Sequence, residues 1–152
     1  MTIFVEEGVS MINILIGDDH AVVREGIKQI LSETPDMVVV AEASNGLDVM
    51  DKLSKDEIHL VVLDIAMPGR NGLDILRDIK RQRPGLPVLI LSMYPEEQYA
   101  LRVLKSGASG YLSKESAPDE LINAIRQISL GKKYIGPSLR EKLFDIDLDI
   151  SE

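Results

Sequence analysis

The chain has no cysteine and no tryptophan, and only 4% of its 152 residues are aromatic. Without cysteine, a disulfide framework and a thiolate-bound zinc are both excluded. Only two histidines are present, His20 and His59; they are far apart and form no His-x-x-x-His pair, so each reads as an ordinary loop or surface imidazole. Basic residues are in short supply as well, 17 against 25 acidic, for a net charge of -8. Affinity for a nucleic-acid backbone comes largely from Lys and Arg, so this chain is not expected to grip DNA by itself. No apolar run is long enough to span a bilayer, and Glu6 and Glu7 stand where a signal peptide needs positive charge, so a cytoplasmic protein without membrane contact is expected.

What is present is an alternation of short β-branched runs with segments of helical period. Residues 11–16, 37–42, 59–63, 87–91 and 110–112 read as strands; 20–33, 46–55, 71–82, 95–106 and 117–130 read as helices. Asn45-Gly46 and Asn71-Gly72 stand before helices, and Pro35, Pro84-Gly85 and Pro95 punctuate connections. Ser116, Pro118 and Asp119 predict a hydroxyl-capped start for the last helix, and Gly131 a left-handed stop. Five rounds of strand then helix predict a doubly wound α/β domain with a five-stranded parallel sheet.

The run Leu60-Val61-Val62-Leu63 is the pattern of a strand covered on both faces, yet it ends in the carboxylate of Asp64. Ligands of such sheets bind outside the carboxyl ends of the strands. The residues there are Asp18 and Asp19 after the first strand, Asp64 after the third, Ser92 after the fourth and Lys114 after the fifth. Three carboxylates in one mouth repel unless a cation intervenes, and an all-oxygen set without His or Cys suits Mg²⁺. A phosphoryl group between that metal and Lys114 has its charge neutralised from two sides, with Ser92 as a donor and Asp64 as nucleophile. Taken singly these residues have plainer readings: an acid pair before a helix is an N-cap, a lysine after a short strand is solvated, a serine after a strand forms a turn, and Tyr94, Tyr99 and Tyr111 pack in the core. Their combination at one sheet edge favours chemistry.

The segments LIGDDH, LVVLDIAMPGRNGLDIL, LILSMY and GASGYLSKE together resemble the receiver domain of two-component response regulators, over residues 11 to about 135. VVAEASNGLDVM and LINAIRQISLGKKYIGP are similar to the NarL/FixJ class, whose members usually carry a C-terminal LuxR-type helix-turn-helix. The resemblance implies a CheY-like, flavodoxin-like fold with strand order 2-1-3-4-5. It also implies phosphorylation of Asp64 by a sensor histidine kinase. Mg²⁺ would be held by Asp19, Asp64 and the Ala66 carbonyl, with Asp18 assisting through a water. Ser92 and Lys114 would contact the phosphoryl oxygens, and Tyr111 matches the aromatic position that responds to the switch. A homodimer formed on phosphorylation, through the face of the fourth and fifth helices, is a further implication.

The chain departs from the family pattern in three places: Glu115 rather than proline after Lys114, Gly17 before the acid pair, and an ending at Glu152 that leaves no room for a DNA-binding domain. Residues 1–10 read as an N-terminal extension, 11–135 as the receiver, and 136–152 as a tail or the start of a linker to an absent output domain. From Pro137 onward Arg140 and Lys142 face Glu141, Asp145, Asp147, Asp149 and Glu152, the wrong balance for a DNA arm. DNA contact and transcriptional control would therefore need that absent domain; a stand-alone receiver is the other option. A haloacid-dehalogenase-like phosphohydrolase would need a second Asp two positions after Asp64, where Ala66 stands, so a phospho-accepting signalling protein is expected rather than an enzyme. A flavodoxin-like cofactor binder would want a Ser/Thr/Gly cradle where GDDH is found.

Overall fold

The structure, a computed structural model, describes residues 4–5, 9–67, 71–93, 97–136 and 140. Tyr94, the helix start at Pro95, Glu6 and Glu7, and all of the 137–152 tail except Arg140 lie outside the described residues. A short antiparallel pair, β1 (Phe4–Val5) with β2 (Val9–Ser10), precedes the main sheet. The core strands are β3 (Ile12–Gly17), β4 (Met37–Ala43), β5 (Leu60–Asp64), β6 (Val88–Ser92), β7 (Gly110–Ser113) and β8 (Tyr134–Ile135). The helices are α1 (Ala21–Leu31), α2 (Gly46–Lys55), α3 (Gly72–Gln82), α4 (Glu97–Lys105) and α5 (Ala117–Ser129).

The main sheet is parallel throughout, in the order β4-β3-β5-β6-β7-β8. Its first five strands are the five read from the sequence, in the expected 2-1-3-4-5 order. The sixth, β8, is an addition: Tyr134 and Ile135 pair with Gly110 and Tyr111 and cover the edge that β7 would otherwise leave open.

Alternation along the strands divides the core into two layers. Ile14, Leu60, Val62, Leu89 and Leu91 face Ile27 and Leu31 of α1 and Leu121, Ile125 and Ile128 of α5. Leu15, Val61, Leu63, Val88 and Ile90 face α2, α3 and α4 through Val49, Ile75, Leu76 and Val103. Because β5 and β6 are buried at every position, no polar residue can sit in them without a partner, and Asp64 and Ser92 appear only at their last step.

Local chemistry sets the helix ends that border the site. Asn45 and Asn71 each accept the amide hydrogen of the residue three ahead, Asp48 at 2.8 Å and Asp74 at 3.0 Å, as N-caps. At the end of α5, Gly131 adopts φ 88°, and Lys132 N–H reaches the Gln127 carbonyl at 3.1 Å while Gly131 N–H reaches Ile128. This is the left-handed stop expected there. The expected Ser116 cap is corrected: Ser116 is itself helical in conformation with no side-chain cap bond. The Ser116 hydroxyl oxygen accepts from the Ser113 hydroxyl at 3.0 Å instead, and the Asp119 N–H goes to the Ser116 carbonyl at 3.1 Å.

Candidate functional site

Strands β3 and β5 are adjacent, and the connections leaving them pass to opposite faces of the sheet, so a crevice opens at their carboxyl ends. Asp18 and Asp19 leave β3 there and Asp64 ends β5. Asp18 and Asp64 are almost completely buried, at 1% and 2% exposure, while Asp19 is 27% exposed and rims the mouth. Lys114, two strands away, reaches across with Nζ 3.0 Å from Asp18 Oδ2 and 3.4 Å from Asp64 Oδ2. The sequence-predicted acids and lysine therefore converge.

Ser92 is buried at the end of β6, on the strand next to Asp64, and its carbonyl accepts the Lys114 N–H at 2.8 Å. The Ala66 N–H donates to Asp64 Oδ1 at 3.2 Å, which holds one carboxylate oxygen and turns the other toward Lys114. Tyr111 is set apart from the mouth: it is fully buried three residues before Lys114, in the layer that contains Val103 and Ile135.

Burial is the main cause that raises the Asp64 carboxyl above the usual carboxylate range, and the charge of Asp18 adds to it; the Ala66 amide and Lys114 pull the other way. One ammonium is too little charge for three carboxylates. Asp18, Asp19, Asp64 and the His20 ring nitrogen each offer a ligand atom, all within 4.8 Å of one another. Asp19 Oδ1 and Asp18 Oδ2 are buried without a hydrogen bond of good geometry, although His20 Nδ1 lies 3.2 Å from the first and Lys114 near the second. Buried oxygens left in this condition fit a hard divalent cation such as Mg²⁺.

Three contributors were not anticipated from the sequence. His20, expected to be an ordinary imidazole, sits on the rim with Nδ1 3.3 Å from Asp18 Oδ1; its place directly after the acid pair was the available signal. Gly72 donates its N–H to the Ile65 carbonyl at 2.8 Å, and a Cβ there would lie 2.6 Å from Ile65 Cα, so only glycine lets α3 approach the turn after Asp64 this closely. Arg24 donates from Nη1 to the Asp18 carbonyl at 2.7 Å, a contact six residues back in sequence.

Comparison with known proteins agrees with this geometry. The family model described as response regulator receiver domain matches residues 14–126. The chain is 40% identical over 132 residues to the transcriptional regulatory protein DegU of Brevibacillus brevis, covering 87% of this chain and 56% of that one. It is 37% identical over 133 residues to the response regulator UvrY of Escherichia coli (strain K12), covering 88% and 61%. It thus spans somewhat over half the length of these relatives. Among solved structures, a LuxR-family two-component response regulator from Aurantimonas sp. SI85-9A1 superposes with a TM-score of 0.85 at 32% identity, covering 90% of this chain and 97% of that one. The isolated REC domain of RcsB from Salmonella enterica serovar Typhimurium, in the presence of phosphomimetic BeF3-, gives 0.81 at 29%, covering 86% and 97%. With the matched residues and the fold in agreement, the chain belongs to the response regulator receiver domain family, of the kind found in LuxR-type regulators.

Proposed function

We propose that Asp64 accepts a phosphoryl group from a phosphohistidine of a partner kinase. The observation that carries this reading is a carboxylate 98% hidden at the end of a rigid strand, facing an ammonium at 3.4 Å inside a cluster of acids. A carboxylate oxygen of Asp64 forms the new P–O bond, the P–N bond to the donor imidazole breaks, and the imidazole leaves with its electron pair and takes up a proton. The product is an acyl phosphate, which returns to carboxylate and phosphate on attack by water.

Each residue at the mouth has a share in that transfer. Lys114 neutralises the incoming oxygens, and Ser92, at the adjacent strand end, donates to one of them. The Ala66 amide keeps the Asp64 carboxylate from rotating. Asp18, Asp19, Asp64 and the Ala66 carbonyl would hold Mg²⁺, whose charge, when bound, offsets that of the acids and the phosphoryl group. Those roles are phospho-acceptance and assistance to the domain's own transfer and hydrolysis, not turnover of a separate substrate. Ala66 leaves no acid two positions after Asp64 to protonate an ester leaving group, which disfavours a phosphohydrolase.

The signal runs from the Ser92 loop to Tyr111 and onward to the face of α4, β7 and α5, through which a phosphorylated homodimer forms. The phosphoryl group must favour one arrangement of this path by differential contacts. We further infer that residues 11–135 form the receiver and 136–152 begin a connection to a LuxR-type output domain, through which DNA and transcription are reached in the cytoplasm. Intact mass after incubation with Mg²⁺ and acetyl phosphate tests the reading: one added phosphoryl group is expected, and none with a chelator. An adduct that forms equally well in chelator would sink it.

A further inference from the structure

Asp18 is gripped from β4 at both of its backbone polar groups. Its N–H donates to the Ala43 carbonyl at 2.9 Å, and its carbonyl accepts from Arg24 Nη1 at 2.7 Å. Arg24 donates in turn from Nε to Glu42 Oε1 at 2.9 Å. Neighbouring residues 42 and 43 therefore hold Asp18 from both sides, Ala43 directly and Glu42 through the guanidinium. Lys28 completes the brace with Nζ 2.8 Å from Glu42 Oε2. The hydrogen bond from Lys28 is the largest cause that keeps the Glu42 carboxyl below its ordinary range, and the one from Arg24 adds to it against the effect of burial.

The Asp18 carbonyl and the Asp19 N–H belong to one rigid peptide plane. Fixing that carbonyl fixes the rotation of the plane, and with it the position of the Asp19 Cα from which the side chain leaves the backbone. Asp19 Oδ1 is a buried oxygen without a hydrogen bond of good geometry, with the exposed His20 Nδ1 3.2 Å away, so its aim leans on this backbone. An exposed ion pair would count for little, but Arg24 is only 20% exposed and spends one donor on a main-chain oxygen and another on a brace. A lysine offers a point charge and cannot hold both acceptors in a fixed fork.

We propose that Arg24 is a positioning residue for the phospho-acceptor mouth: braced by Glu42, it sets the Asp18–Asp19 peptide so that the two carboxylates converge with Asp64. This rests on the metal-assisted phospho-acceptor reading of the same site. Its effect is on cation affinity first and on phosphoryl transfer through it.

The test is a Mg²⁺ titration of the unphosphorylated full chain, monitored by amide NMR shifts of residues 17–20 and 64–66, for wild type, Arg24→Met, Arg24→Lys and Glu42→Gln. Thermal melts in chelator confirm that each variant is folded. Arg24→Met weakens Mg²⁺ about tenfold, in the range typical of groups that orient metal ligands, and Arg24→Lys restores less than half of the logarithmic loss. Glu42→Gln keeps an oxygen for Nε but loses the charge, and weakens binding by about threefold, below that range. With acetyl phosphate, the Mg²⁺ concentration for half-maximal rate rises in the same order while the rate at saturating Mg²⁺ stays near wild type. A purely structural role would leave that split absent. Wild-type Mg²⁺ affinity in folded Arg24→Met overturns the proposal; should that variant not fold, wild-type affinity in Glu42→Gln does so. A wild-type chain that neither binds Mg²⁺ nor takes a phosphoryl group instead sinks the phospho-acceptor reading, and the positioning role with it.

Discussion

Replacing Asp64 by asparagine removes the proposed nucleophile, and the structure says it should stabilise the metal-free domain. At an effective dielectric constant of about 20, a like charge within 4.8 Å repels by at least about 3.5 kcal/mol, and Asp64 has two such neighbours in Asp18 and Asp19. Lys114 at 3.4 Å returns about 5 kcal/mol of attraction. Solvent screens the part due to Asp19, which is 27% exposed, but burial of Asp64 adds a desolvation cost in the same direction as the repulsion. The balance is a penalty of about 1–2 kcal/mol for the ionised group, which corresponds to about 4–8 °C in Tm for a domain of this size. Asparagine keeps the shape and leaves Lys114 paired with Asp18 at 3.0 Å.

The pH dependence carries a definite sign. The folded-state Asp64 carboxyl is raised above its ordinary value, so the penalty is full when the pH lies above that raised value. It fades as pH falls through it and is gone below the value in the unfolded chain. Differential scanning calorimetry of both proteins in chelator, at neutral pH and at successively lower pH, checks this. An Asp64→Asn domain that melts below wild type at neutral pH would refute the electrostatic reasoning, as would a gain that grows on acidification.

Two further perturbations probe the surroundings of the site. Gly72→Ala places a methyl group 2.6 Å from Ile65 Cα and 2.8 Å from its carbonyl oxygen, both backbone atoms; chemical denaturation should show a loss of about 2–3 kcal/mol. At β8, the Tyr134 hydroxyl donates to Glu120 Oε1 at 2.8 Å, and burial, with Glu120 next, pushes the phenol up to about 12. Tyr134→Phe should cost about 1 kcal/mol by denaturant melts. That contribution is complete below the ordinary tyrosine range near 10 and is lost as the pH rises through about 12, so absorbance titration should show one late phenol that the variant lacks.

The main elements were legible because their signals are local. Apolar runs of four or five residues mark β5 and β6, and Asn-Gly pairs mark the starts of α2 and α3. The acids and the lysine were legible from position alone, since each stands at or just past the carboxyl end of a strand, where topology places a site without any contact information. Strand β8 was not legible: Tyr134 and Ile135 make a run of two after Lys132 and Lys133, and they are a strand only because the edge of β7 lies beside them. The Ser116 cap failed because Ser116 takes a helical conformation and its hydroxyl oxygen accepts from the Ser113 hydroxyl at 3.0 Å rather than from an amide of the helix. Arg24 escaped notice for the opposite reason, since a long side chain bridging residues 18 and 42 leaves no periodicity to read. The receiver site is thus half written in strand ends and half in reach across the sheet.

The central claim is that Asp64 is the residue phosphorylated. Reductive trapping tests it most directly: the protein is treated with acetyl phosphate and Mg²⁺, the acyl phosphate is reduced with borohydride, and the digested peptides are sequenced by mass spectrometry. Homoserine is expected in place of aspartate at position 64 alone, and none when Mg²⁺ is withheld. Reduction at Asp18 or Asp19, or a stable phosphate on Ser92 with Asp64 untouched, would contradict it.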